Sequence, residues 1–146
     1  MANILQDLRA AMRARILEDS YFATAPAPTI ITEELGDIDN EVTTDIGKIG
    51  CCIVLLTPFA EVKANDVLEV IPKIAVFEDV TVNRSASGTN KPADEIALKL
   101  MANFLGWRPP IEIWTPFRNP AMRLVGTKPE LNYELSMATS VMITAQ

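Results

Sequence analysis

Histidine is absent from the 146 residues. That removes Ser-His-Asp and Cys-His catalysis, imidazole metal ligands and the commonest general base together. Cysteine is scarce: Cys51 and Cys52 are the two in the chain, and they are adjacent. Adjacent side chains on a strand point to opposite faces, so neither a disulfide between them nor a thiolate zinc site is expected. Two buried free thiols in a reducing cytoplasm fit better. Long apolar runs are missing as well. The longest, Cys51–Leu56 (CCIVLL), falls far short of the roughly 18 residues a membrane span needs. The opening MANILQDLRAAMRARILEDS carries Asp7, Glu18 and Asp19 and no apolar h-region, so it reads as a helix, not a signal peptide. Positive charge is in deficit, with 13 basic against 19 acidic side chains and a net charge of −6, which argues against holding a phosphate backbone. Arg9, Arg13 and Arg15 lie close together, and Arg9 and Arg13 share a helix face that reads as solvated.

What is present describes an ordinary globular chain, 49 % hydrophobic and 22 % charged, of a length that suits one domain over residues 1–146. Leu5, Leu8, Met12 and Ile16 recur at helical steps, predicting an amphipathic helix from Ala2 to about Asp19. Thr29–Thr32 reads as a short strand after Ala25–Pro28. Glu33–Gly50 carries six acids and three glycines, is long for a structureless connection, and reads either as partly strand or as a functional loop. Cys51–Leu56 predicts a strand, and Phe59–Lys63 a short segment set off by turn residues. A long strand follows over Val67–Val82, with Leu68, Val70, Ile74 and Val76 on one face and Glu69, Lys73 and Phe77 on the other. Pro72 inside it marks either an edge strand or a bulge. Ala93, Ala97, Leu100, Phe104 and Trp107 make the stripe of a second helix, about Pro92 to Leu105, which Gly106 stops. Strand candidates then fall at Ile111–Trp114, Met122–Val125 and Tyr133–Ile143. The expectation is an α+β fold: a mixed, mostly antiparallel β-sheet with the N-terminal helix and the second amphipathic helix packed on it.

Three motifs invite chemistry and fall short of it. VNRSASGTNKPADEIALKL resembles a phosphate loop, but it has one glycine, Gly88, and Lys91 is followed by Pro92 where a hydroxyl residue is needed. It reads as a helix start, with Asn90 or Thr89 as the cap and Asp94 and Glu95 favouring the positive end. Asp37 and Asp39 open like a calcium loop, yet Val42 stands where its glycine belongs and Lys48 where its glutamate belongs. Trp107, Trp114, Phe117 and Arg118 cluster as interface hot spots do, although core aromatics look the same in sequence. No residue stands out as catalytic, metal-binding or cofactor-binding. A small carboxylate-based hydrolase or ligand-binding domain is the distant alternative, since nineteen acids allow many pairs.

The stretch VFEDVTVNRSASGTNKPADEIALKLMANFLGW, residues 76–107, resembles a pattern in small structural proteins of tailed bacteriophages. There a long strand ends in an acidic turn, passes Asn-Arg and a Ser/Gly/Thr loop, and enters a helix closed by tryptophan. The element order around it, down to the last strand LNYELSMATSVMI, is similar to that of the tail terminator, or head–tail joining, group. The chain departs from the pattern at FEDVTV, where related turns carry a proline. The resemblance implies a virion structural protein without enzymatic activity or cofactor, a ring of like subunits, usually a hexamer. That ring caps the tail tube and meets the head connector or neck protein, while DNA passes through without specific binding. It implies a place in the virion tail or neck, reached from the host cytoplasm, with no membrane. Another neck, head-completion or baseplate adaptor is the nearer alternative. On this reading Glu33, Glu34, Asp37, Asp39, Glu41 and Asp45 are candidates for the lumen or a subunit contact. Asn83 and Arg84 in the matching loop, and Trp114, Phe117 and Arg118 after it, are the other interface candidates.

Overall fold

Alternating apolar side chains build three long strands, and helices cover the two faces of the resulting sheet unequally. The structure, a computed structural model, describes residues 3–32, 37–110, 114–126 and 130–143. Strands β1 (Thr29–Thr32), β2 (Cys51–Lys63), β3 (Val67–Asp79), β4 (Arg118–Leu124) and β5 (Glu130–Met142) form one sheet in the order β1-β2-β3-β5-β4. β1 runs parallel to β2, and the other pairs are antiparallel. Helices α1 (Ile4–Leu17), α2 (Ser20–Ala23), α3 (Ile38–Lys48), α4 (Val80–Asn83) and α5 (Ala93–Phe104) complete a mixed α+β fold.

One face carries the main core. Ile53 and Leu55 of β2, Val70, Ile74 and Val76 of β3, and Leu135 and Met137 of β5 meet Leu8, Met12 and Ile16 of α1 and Ile96, Leu100 and Phe104 of α5. Fully burying a side chain of this size contributes about 1.5–3 kcal/mol, so packing holds α5 although Pro92, at its N-cap, offers no side-chain bond. The opposite face has a smaller cluster, Ile31, Cys52, Val54 and Ala75, under Ile38, Val42 and Ile46 of α3. Cys51 and Cys52 fall in different clusters, as the strand period requires, and both are free and buried. Burial pushes both thiols up, Cys52 to about 12, so neither supplies a thiolate at neutral pH.

Several expectations are corrected. Most of the acidic stretch is helical: Asp37 caps α3 by accepting from Asn40 N at 3.1 Å, and Ile38, Val42 and Ile46 recur every four residues beneath the acids. β2 does not end at Leu56 but runs on through Pro58 to Lys63, with a register shift between Leu56 and Phe59. Pro72 lies in a central strand, so its edge reading fails. The bulge it marks lies opposite it in β2, where Thr57 and Pro58 stand against the one proline, while the register with β5 is unbroken. Paired registers on both sides skip the proline, which has no N–H to give a ladder. β3 stops at Asp79 because the Asp79 carboxylate caps α4, accepting from Val82 N at 3.2 Å. Arg9 is buried, its guanidinium donating to Thr57 Oγ1, whereas Arg13 is solvated as expected. Of the expected Ile111–Trp114 strand, residues 111–113 lie outside the described residues, and Trp114 makes an isolated bridge to Val141.

Candidate functional site

The loop that looked like a phosphate cradle is organised around a buried amide. Asn83 is fully buried at the end of α4. Its Nδ2 donates to Glu78 Oε2 at 2.5 Å and to the Lys91 carbonyl at 2.8 Å. Its Oδ1 accepts from Thr89 N at 3.2 Å and from the Thr89 hydroxyl. Glu78, also buried, accepts from Ala93 N at 3.1 Å with its other oxygen and so caps α5 from a neighbouring strand. This replaces the expected Asn90 or Thr89 cap: Thr89 is engaged with Asn83, and Asn90 adopts a positive φ of 58°. Arg84 Nε reaches Glu78 Oε2 at 3.4 Å. Lys91 donates to the Tyr21 and Pro26 carbonyls, each at 2.6 Å, and ties the end of α2 to the loop. The polar groups here bond to one another, so the loop is a structural knot.

The other candidates are dispersed. Glu33 and Glu34 lie outside the described residues. Asp37 and Asp39 are exposed on α3, while Glu41 and Asp45 are half-buried along it. Trp114 and Phe117 prove to be core: both are almost fully buried, Phe117 stacks 5.7 Å from Phe104, and neither leaves a ring for a partner. Arg118 starts β4 on the α3-covered face, where its guanidinium bonds Glu69 Oε2 at 3.2 Å and Ser140 Oγ at 2.9 Å. Among the described residues, no group of three or more acids and cysteines could hold a metal ion.

A surface that sequence reasoning missed lies beyond α3, which covers only the inner part of its face. Outside it Phe59, Ile71, Lys73, Ala121, Arg123 and Glu134 line a shallow hollow of about 400 Å³. Glu134 sits between Lys73 Nζ at 2.9 Å and Arg123 Nη2 at 3.2 Å. The Lys73 bond, opposed by burial and aided by Arg123, holds its carboxyl below the usual carboxylate range. A folded-state pKa below the unfolded value gives stability that is present above the unfolded pKa and lost as pH falls through the folded one. Glu134→Gln is therefore expected to reduce stability at neutral pH, with the gap to the parent closing below the ordinary glutamate value of about 4.3. Urea unfolding across a pH series measures it, and a gap independent of pH would contradict the assignment.

The β2–β3 hairpin reaches beyond both layers of helix. β1 pairs β2 only over Cys52–Leu55, and from Pro58 to Lys63 β2 is exposed, with no strand on that side among the described residues. At the other end of the sheet β4 is likewise an open edge and is exposed from Asn119 onward. Exposed Phe59, Val62, Met122, Leu124 and Val125 lie on these two edges. Alternation within a strand reveals which residues share a face, but not whether anything covers that face.

No family model and no curated protein matches the chain. Eight chains of solved structures do match it. One of them is 14 % identical with a TM-score of 0.57, over 97 % of this chain and 98 % of that chain, and its name describes no function. At that identity the likeness shows a shared fold alone.

Proposed function

We propose that the chain is a structural subunit of a phage tail, a tail terminator whose copies close into a ring on the tail tube and join it to the head connector. The observation that carries this reading is the pair of open, apolar sheet edges, one on the projecting β2–β3 hairpin and one on β4. Exposed strand edges of this kind are contact elements, which proteins that act alone keep short or covered. The knot around Asn83 supports it from the other side, because the conspicuous loop is consumed in holding α5 and β3 together. The net charge of −6 and the acids of α3 suit a channel wall past which DNA slides, since like charge repels the phosphate backbone.

Native mass across a concentration series, with negative-stain images, tests the reading. Closed rings of about six subunits are expected, alone or with tail-tube protein. In the variant Asp39→Asn/Glu41→Gln/Asp45→Asn the monomer should melt as the parent does while ring yield or DNA passage changes. A chain that stays monomeric even with tube protein present would sink the ring and favour a neck adaptor.

A further inference from the structure

We infer that a second copy of this chain docks by strand addition, with β4 of one subunit pairing antiparallel with the projecting part of β2 of the next. The inference deepens the ring reading and rests on it. It starts from strand directions. β2, β3, β5 and β4 alternate in direction along the sheet, so β4 runs opposite to β2. A neighbour set alongside in the same orientation therefore brings its β2 antiparallel to β4, with the same face of the sheet upward.

The side chains agree with that geometry. Ladder partners share a face, so each exposed edge residue can be assigned through the residue paired with it. Glu61 pairs with Glu69, and Arg123 with Glu134, which places both on the α3 side. Val62 pairs with Leu68, and Met122 with Leu135, which places both on the side of the main core. Setting Glu61 of one subunit opposite Arg123 of the next fixes the rest of the register. Phe59 then faces Val125 on the α3 side, while Val62 faces Met122 and Ala60 faces Leu124 on the core side. Unlike charges meet, apolar meets apolar, and the small Ala60 receives the large Leu124. A slip of one residue would set Glu61 against Met122 or Leu124 and oppose residues that belong to different faces of the sheet.

The present ion pairs allow the exchange. Arg123 bonds Glu134, which keeps Lys73 when the arginine turns outward, and Glu61 is paired with the neighbouring Lys63 at 3.1 Å on an exposed surface. The two docking edges are different surfaces of one subunit, so the joint is heterologous and each copy leaves an edge free for the next. Such joints propagate into rings or filaments, not into a closed dimer. Both edges carry Pro, Pro58 and Pro120, and in the proposed register each lies just outside the paired segment, where a missing N–H interrupts nothing.

The full-length double variant Val62→Cys/Met122→Cys, mildly oxidised, tests the joint. The native thiols are buried, so new bonds report on the two edges. A ladder of covalent dimers, trimers and larger species is expected on a non-reducing gel, absent from each single variant and from Val62→Cys/Arg123→Cys, whose thiols lie on opposite faces. Separately, Glu61→Arg and Arg123→Glu should each raise the concentration for half-assembly roughly threefold to tenfold, and an equal mixture of the two should restore it. Rings in the electron microscope without the ladder would overturn the joint and leave the ring reading standing. A ladder that never closes into rings would do the reverse. Absence of both at every concentration, in variants that melt like the parent, overturns the joint.

Discussion

Replacing Asn83 by alanine is expected to lower the unfolding free energy by about 3–5 kcal/mol, enough to unfold a marginal domain. The size follows from what the amide leaves behind. Glu78 loses its 2.5 Å donor and keeps only the long contact to Arg84 beside it on that oxygen. The Thr89 amide and hydroxyl lose their acceptor, and the Lys91 carbonyl loses a donor. Each buried polar group stranded in this way costs about 1–3 kcal/mol, and more where it carries charge. The damage would spread, because Glu78 also caps α5 and the same loop holds Lys91 against α2. Arg84→Ala provides the contrast. Its guanidinium is half exposed and 3.4 Å from Glu78, so the loss should stay within about 1 kcal/mol. Urea unfolding of the two variants measures the difference, and equal effects would mean that Asn83 is not the hub of the knot.

How much of this was legible differs from element to element. β1 was readable to the residue, because Thr-Ile-Ile-Thr follows a proline-rich break. The α5 stripe and the last long strand were readable because their periods persist over many residues. α3 was hidden. Three apolar residues every fourth position are a thin signal, and the two threonines, the glycine and the aspartates around them are poor helix formers that packing overrides. The central position of β3 was hidden by Pro72, since composition alone does not tell a bulge from an edge.

The surface proposed for interaction was legible only in part. Aromatic clustering drew attention to Trp114 and Phe117, which the fold buries, because sequence does not separate a core aromatic from an exposed one. The edges at Phe59–Lys63 and Ala121–Val125 gave no signal, as their alternation is that of any strand. Glu78 did leave a trace. It continues the alternation of Ile74 and Val76, which puts a carboxylate at a core position, and a buried carboxylate needs partners close by.

Gly50→Ala is expected to do damage of the same order as the loss of Asn83, by a different route. Gly50 joins α3 to β2 with φ at +86°, and its carbonyl accepts from Asp79 N at 2.8 Å, so the turn cannot drift without opening the last pairing of β3. A side chain held at such a φ costs about 1–2 kcal/mol by itself. Space makes it worse: a Cβ on Gly50 would stand 2.1 Å from the backbone nitrogen of Asn83 and 2.2 Å from its Cα. Backbone atoms cannot swing aside as a side-chain tip does, so the turn and the Asn83 knot would have to separate. Together these should remove at least about 3 kcal/mol, a fall in Tm of roughly 10 °C at this chain length. Gly47, three residues earlier on α3, has ordinary helical backbone, and a Cβ there would meet nothing within 4 Å. Gly47→Ala should therefore raise stability by about 0.5–1 kcal/mol through helix propensity. Thermal melts of the two single variants should move in opposite directions. A Gly50→Ala protein that melts with the parent would mean that the contact between this turn and Asn83 is looser than the structure has it, and the cost assigned to Asn83→Ala would fall with it.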